Sequence, residues 1–136
     1  MRIIVCLDDR NGMSFCGRRH STDRILRARA VELAGEEPLW MNPYSAGQFQ
    51  DLPNRVRVAE DFTKDRKPED WCFVESLRDL PSWENIHMLV IFRWNRHYPS
   101  DMKFPMEALN AWGTLIHRED FPGYSHECIT QEVYQP

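Results

Sequence analysis

The chain has 136 residues, with 42% hydrophobic residues, 28% charged residues and a formal net charge of −4 at pH 7. This length is typical of one domain with its own core, so we expect a single domain over residues 1–136. The negative charge argues against a general nucleic-acid-binding protein, and no apolar run is long enough to span a membrane. The apolar run 3–7 is too short for a signal-peptide core, and the four cysteines form no C-x-x-C pair. We therefore expect a cytoplasmic protein with reduced thiols.

The first strand is predicted at residues 3–7, a continuous apolar run rich in β-branched residues. Such a run is typical of a strand buried on both faces, in the middle of a sheet covered by helices. The turn signal at 8–12 then opens a loop that extends to about residue 20. The short apolar run 39–41 predicts the second strand.

A helix is predicted at residues 22–34, because this segment is rich in strong helix formers. Ser21 or Thr22 is the expected N-cap, and Gly35 is the expected stop. Ile25, Leu26 and Leu33 lie at approximately helical spacing, so we expect them to pack on the sheet.

The rest of the chain predicts further strands and few helices. Beyond the second strand, the patterns indicate a short helix at 44–50, strands at 56–58 and 71–75, a mixed-charge loop at 59–70, a helical turn within 77–83, and closing strands at 87–94 and 126–134. Early strand–helix alternation followed by antiparallel pairing predicts an α/β fold with a mixed sheet and flanking helices.

Several short segments occur in an order that resembles dihydrofolate reductase. They are Asp-Arg-Asn-Gly-Met at 9–13, Leu-Trp-Met-Asn-Pro-Tyr-Ser at 39–45, Trp-Cys-Phe-Val-Glu-Ser at 71–76, Ser-Asp-Met-Lys-Phe-Pro at 100–105 and Tyr-Ser-His-Glu at 124–127. The resemblance implies a shortened bacterial relative of that family, with the family's mixed sheet and antiparallel C-terminal strands.

The resemblance implies a site at Asp23, which falls where the family has a carboxylate that binds the pterin ring and assists protonation. A buried carboxylate facing an apolar cleft suits that role. The alternative is structural: Asp23 completes the start of the helix and pairs with Arg27 one turn later. The family's tryptophan in the preceding loop is absent, and residues 17–21 read Gly-Arg-Arg-His-Ser instead.

An anionic ligand is the second expectation, because Arg18, Arg19, Arg24, Arg27 and Arg29 form the chain's only basic cluster. Guanidinium groups suit carboxylates and phosphates, and the start of a helix offers free N–H groups. We predict Arg18, Arg19 and Arg27 as ligand-binding residues, with the hydroxyl of Ser45 beside them. The alternative is that these arginines only solvate a helix face.

The usual NADPH site is expected to be lost. The family has two glycines after its central strand, where the backbone approaches the cofactor pyrophosphate. Here Glu75 and Ser76 follow Val74, and a carboxylate about 4 Å from a phosphate costs roughly 4 kcal/mol per charge pair. Pro43 stands near the family's phosphate-binding arginine, and the segment 49–71 is short for an adenosine-binding part. We therefore expect no cofactor.

No metal site is expected either. His126-x-Cys128 is one potential pair of ligands, but no second pair accompanies it, and a core cysteine beside a surface histidine is the simpler interpretation. A two-zinc nuclease of the ribonuclease Z type needs an H-x-H-x-D-H run, which is absent.

Three functions remain open from the sequence. The first is a domain that binds a small anionic or heteroaromatic ligand without a functional NADPH site. The second is a reductase or other enzyme with altered cofactor use and Asp23 as ring anchor or acid. The third is a protein-interaction module whose cleft is filled by side chains.

Overall fold

A computed structural model describes all residues, 1–136, as three α-helices, four short 3-10 helices and ten strands. The strands are β1 (Arg2–Leu7), β2 (Gly12–Phe15), β3 (Arg18–Arg19), β4 (Leu39–Met41), β5 (Val56–Val58), β6 (Trp71–Phe73), β7 (Met88–Arg93), β8 (Met102–Lys103), β9 (Thr114–Phe121) and β10 (Ile129–Gln135). The α-helices are α1 (Arg24–Ala34), α2 (Pro43–Ala46) and α3 (Met106–Trp112), and the 3-10 helices lie at Gly47–Phe49, Pro53–Arg55, Leu77–Asp79 and Trp83–Asn85.

Seven strands form one mixed sheet in the order β5-β4-β6-β1-β7-β10-β9. The first five of these run parallel, whereas β10 is antiparallel to both β7 and β9. The predicted α/β class is therefore confirmed, as is the antiparallel pairing of the segments 87–94 and 126–134. The last strand starts later than predicted, at Ile129.

Two hydrophobic cores cover the two faces of the sheet, and β1 contributes to both because its side chains alternate. Ile4 packs on the face that carries α1, with Leu26, Phe73 and Phe92. Residues Ile3, Val5 and Leu7 pack on the other face, where Leu109 of α3 lies. This double coverage explains why the segment 3–7 has no polar alternation.

Helix α1 begins two residues later than predicted, because Asp23, and not Ser21 or Thr22, is its N-cap. The face that packs on the sheet also differs. Leu26 is buried as expected and Leu33 is half-buried, but Ile25 is 36% exposed. Ala30, Val31 and Ala34 complete the buried face instead, so small residues let the helix lie close to the sheet.

A small three-stranded sheet, in the order β3-β2-β8, lies where a plain loop was predicted. The hairpin between β2 and β3 turns at Cys16 and Gly17, and both have a positive φ (51° and 73°). This conformation is that of a two-residue hairpin turn, in which glycine is favoured. Helix α3 was also not predicted. No helix of the chain is long and apolar enough to cross a membrane.

Candidate functional site

Asp23 lies at the N-terminus of α1, beside the carboxyl ends of the parallel strands, and its side chain is completely buried. Its Oδ1 accepts hydrogen bonds from the backbone amides of Ile25 at 2.9 Å and Leu26 at 3.2 Å. These bonds satisfy two of the free N–H groups that every helix start leaves. Arg27 does not pair with Asp23. It lies 3.6 Å from the carboxylate of Asp51.

The loop between β9 and β10, residues 122–128, covers the rest of this carboxylate. The amide of Tyr124 donates to both Asp23 oxygens at 3.0 Å, and the amide of Ser125 donates to Oδ2 at 2.9 Å. The ring of His126 lies 2.9 Å from Oδ2 through Nδ1, which acts as a donor because an ionised carboxylate only accepts. Gly123 permits this approach, since a Cβ there would lie 2.8 Å from Asp23 Oδ2.

These contacts decide the ionisation of Asp23. Burial alone would raise its pKa, but the hydrogen bonds from Tyr124, His126, Ser125 and Leu26 outweigh burial and hold the pKa well below its usual range. A carboxylate offers about four lone-pair positions, and the chain's own donors occupy them. In this arrangement Asp23 is an anion that fastens the loop to α1.

His126 is the residue at this site that the sequence did not indicate. It is 3% exposed, packs against Trp94 in a tilted arrangement with ring centroids 4.6 Å apart, and places Nε2 3.3 Å from the Tyr98 hydroxyl. The expectation of a core cysteine beside a surface histidine was wrong, because His126 is buried and Cys128 is exposed. The sequence pointed to His126 only as part of Tyr-Ser-His-Glu at 124–127 and as one half of a potential ligand pair with Cys128.

A second network joins the first hairpin to the end of β6. The guanidinium of Arg19 donates to both oxygens of Glu75, from Nε at 2.9 Å and Nη2 at 3.1 Å. The hydroxyl of Ser45 donates to the same carboxylate at 2.8 Å, and Arg19 also stacks on the ring of Tyr44 at 4.2 Å. Burial tends to lower the pKa of Arg19, but Glu75 outweighs it and raises that pKa. Glu75 is thus neutralised inside the chain.

Between these two networks lies a cavity at the carboxyl ends of β1, β6 and β7. Its lining includes Cys6, Met13, His20, Phe73 and Trp94. Its volume is about 10 Å³, close to the minimum of roughly 10–15 Å³ that holds a single water. Asp23 does not line this cavity, so the cavity is not the open cleft that was expected beside its carboxylate.

A larger opening, here named the hairpin groove, lies on the other side of the Arg19–Glu75 pair. It has a volume of about 300 Å³ and separates the β2–β3 hairpin from the segment after β6. Its lining includes Ser14, Arg19, Tyr44, Ser76, Arg78 and Met102. This volume is at the lower limit of small-molecule sites, roughly 300–1,000 Å³.

The arginines of the predicted basic cluster do not converge on one site. Arg18 is exposed and makes no side-chain hydrogen bond or ion pair, Arg19 binds Glu75, and Arg27 faces Asp51. Arg24 stacks on Tyr124, and Arg29 stacks on Phe121 and lies 3.3 Å from Glu119. Among the predicted ligand-binding residues, the fold brings only Arg19 and Ser45 together, through Glu75.

The loop after β1 is tied to the segment after β7 by buried polar contacts. The carboxylate of Asp8 accepts from the amides of Gly12 at 2.7 Å and Tyr98 at 3.0 Å. Ser100 and His20 Nε2 are 2.8 Å apart. Gly12 leaves the room for this contact, since a Cβ there would lie 1.9 Å from Ser100 Oγ. No group of three or more His, Cys, Asp or Glu side chains is placed to hold a metal ion.

Comparison with known proteins supports the fold and no more. No protein-family model matches the chain, and no curated protein matches it. Among solved structures, dihydrofolate reductase from Enterococcus faecalis complexed with NADP(H) and RAB-propyl is similar, with a TM-score of 0.62 and 12% sequence identity. The match covers 98% of this chain and 94% of that chain. The chain therefore has a dihydrofolate reductase-like fold.

Proposed function

We propose that this dihydrofolate reductase-like domain binds a small molecule with a flat ring and an anionic group in the hairpin groove, and does not use NADPH. The observation that carries the proposal is the Arg19–Glu75–Ser45 network. It places a carboxylate at the end of β6 and uses the nearby hydroxyl to bind that carboxylate. A ligand that reached the expected cofactor position would have to break a two-pronged ion pair.

The hairpin groove retains donors for an anion. The backbone amide of Ser76, which lines the groove, donates to no group of the chain. The Arg78 side chain is 81% exposed, and its only ionic neighbour is Asp79 at 3.9 Å. Because Arg19 already neutralises Glu75, an anion at these donors meets less repulsion than the sequence alone indicated.

The groove also offers a surface for a ring. Tyr44 is 46% exposed, and Arg19 stacks on its ring at 4.2 Å. An aromatic ring has two faces, so a flat ligand can stack on the one that Arg19 leaves free. This geometry favours a heteroaromatic acid of modest size, because the groove volume of about 300 Å³ suits a small molecule better than a dinucleotide.

The enzyme alternative, with Asp23 as ring anchor or acid, requires the loop 122–128 to leave the carboxylate. Its low pKa and occupied oxygens oppose proton donation near neutral pH. The interaction-module alternative is favoured by one observation, the small volume of about 10 Å³ of the cavity at the carboxyl ends of β1, β6 and β7. Both alternatives are outcomes of the experiment below.

The test is thermal denaturation and amide NMR of the purified protein with four probes: pterin-6-carboxylate, pterin, inorganic phosphate and NADPH. We expect pterin-6-carboxylate to shift the amide signal of Ser76. At 100 times its Kd it should stabilise the protein by about 2.7 kcal/mol. NADPH at 1 mM should leave the melting temperature unchanged.

The matched variants are Arg78→Ala in the groove and Arg57→Ala on β5, since both arginines are exposed. Arg78→Ala should weaken the binding of pterin-6-carboxylate, whereas Arg57→Ala should leave it unchanged. Oxidation of NADPH in the presence of dihydrofolate would establish the enzyme alternative. If no probe moves a groove signal, the interaction module becomes the better explanation.

A further inference from the structure

The two edges of the seven-stranded sheet differ in length and exposure. Strand β5 at one edge has three residues, whereas β9 at the other edge has eight. Along β9, Leu115 is 43% exposed and Ile116 is 53% exposed. A long exposed edge strand presents unpaired backbone N–H and C=O groups to another strand, and short edge strands are one way in which proteins avoid this.

The charges along β9 have a self-complementary order. When a two-fold axis perpendicular to the sheet relates two antiparallel copies of a strand, each side chain stays on the same face of the sheet. Residues opposite each other must therefore lie on the same face. With the axis beside Glu119, Arg118 of each copy lies opposite Asp120 of the other. Two cross-strand ion pairs, each between an arginine and an aspartate, then form on one face of the sheet. Arg118 has no ionic partner within its own chain, so it is free for this contact.

The remaining pairs in this register are compatible with association. Glu119 lies opposite its own copy, but Arg29 at 3.3 Å already balances its charge. His117 lies opposite Phe121. The irregularity in the pairing of β9 with β10 falls at Ile116, outside the segment 117–121 that the register uses.

We propose that β9 is a dimerisation edge that pairs antiparallel with β9 of a second copy, in the register that places Arg118 opposite Asp120. The two seven-stranded sheets then form one continuous sheet. Charged residues on an edge strand often prevent association, and a row of charges of the same sign has this effect because two copies repel each other. Here two opposite signs alternate on one face, so the same charges direct a specific pairing.

The first test is sedimentation equilibrium at 10–200 µM protein. We expect the wild type to have twice the chain mass of 16.2 kDa. Arg118→Glu should weaken the dimer at least tenfold, because it replaces two attractive pairs with repulsive ones. The double variant Arg118→Glu/Asp120→Arg should restore association, since it reverses both signs. Arg57→Glu on the short edge strand is the matched control and should leave the dimer unchanged.

A second test does not depend on the charge swap. In a background with the exposed Cys16 and Cys128 changed to Ser, Glu119→Cys should form an intermolecular disulfide under mild oxidation. Opposite Cα atoms in an antiparallel pair are about 4.5–5.5 Å apart, within disulfide range. Ile116→Cys is the control, because its copy lies about 20 Å away at roughly 3.3 Å per residue.

Four results would overturn the proposal. One is a monomeric wild type at 200 µM, and another is an Arg118→Glu dimer as tight as the wild type. The third is a cross-link at residue 116 in the absence of one at residue 119. The fourth is a double variant that is folded but monomeric. The melting temperature of each variant shows whether it is folded.

Discussion

Replacing Asp23 with Asn should destabilise the whole domain, because this carboxylate joins α1 to the β9–β10 loop. Oδ1 accepts from Ile25, Leu26 and Tyr124, and Oδ2 accepts from Tyr124, Ser125 and His126. Asn has one oxygen and one NH₂ group. Whichever way the amide turns, the NH₂ group faces donors, and buried donors lose their acceptor.

The magnitude follows from these contacts. Loss of an N-cap costs about 1 kcal/mol, and each loop hydrogen bond to a charged acceptor contributes about 1.5–3 kcal/mol before non-additivity. We expect a total loss of about 4 kcal/mol in the free energy of unfolding. For a chain of 136 residues, this corresponds to a melting temperature about 15 °C lower.

Urea denaturation gives the global loss, and chymotrypsin cleavage after Tyr124 reports locally on the loop. The matched control is Asp9→Asn, which removes an exposed carboxylate with no side-chain partner. A melting temperature of Asp23→Asn within 3 °C of the wild type would refute the structural role. If, contrary to the proposal, the wild type oxidised NADPH and the folded Asp23→Asn variant did not, Asp23 would instead be a catalytic acid.

Three further predictions concern the same two networks. Gly123→Ala should destabilise by about 2 kcal/mol in urea titrations, because its Cβ would lie 2.8 Å from both Asp23 Oδ2 and the His126 carbonyl. Gly47→Ala is its control, because Gly47 is helical and has nothing within 4 Å, and it should be neutral or slightly stabilising. Asp23 has a pKa in the folded state below its unfolded value, so its contribution to stability is present above about pH 4 and is lost as the pH falls below that value. Acid titration should therefore destabilise Asp23→Asn less than the wild type, although Asp8, whose pKa is also lowered, keeps part of the dependence in both. Glu75→Gln should lower the free energy of unfolding by about 1–2 kcal/mol in the same urea assay, because the half-buried Arg19 loses its ionic partner. An unchanged urea midpoint would show that the Arg19–Glu75 pair does not stabilise the hairpin.

The sheet was predictable from sequence because its strands carry strong local patterns. The run 3–7 is apolar at every position, and it lies at the centre of the sheet with a core on each face. The closing strands 87–94 and 126–134 were predicted to pair, and they do. The start and the buried face of α1 were predicted less well. Its N-cap is Asp23, whose contacts with the loop 122–128 the sequence did not show. Ile25 is exposed, although its apolar side chain suggested otherwise.

The candidate site was harder to predict, because its contacts join residues far apart in the chain. Asp23 and His126 are 103 positions apart, and Arg19 and Glu75 are 56 apart. The sequence showed Glu75 as an obstacle to phosphate and Arg19 as a ligand-binding residue. It could not show that each is the other's partner, because no local periodicity encodes that pairing. Opposite charge was the only available signal, and every surface offers many such pairs.

The two networks together bear on any hydride-transfer chemistry at this sheet. Such chemistry needs a donor ring and an acceptor ring in contact within one cavity at the carboxyl ends of the strands. The cavity there has a volume of about 10 Å³ and is lined by Arg19 and Glu75 and by Trp94, whose ring contacts His126. Opening one network enlarges only one side. A single substitution at Glu75 or at His126 should therefore not confer NADPH oxidation, whereas the hairpin groove, which Arg19 and Glu75 also line, is already open and needs no such change.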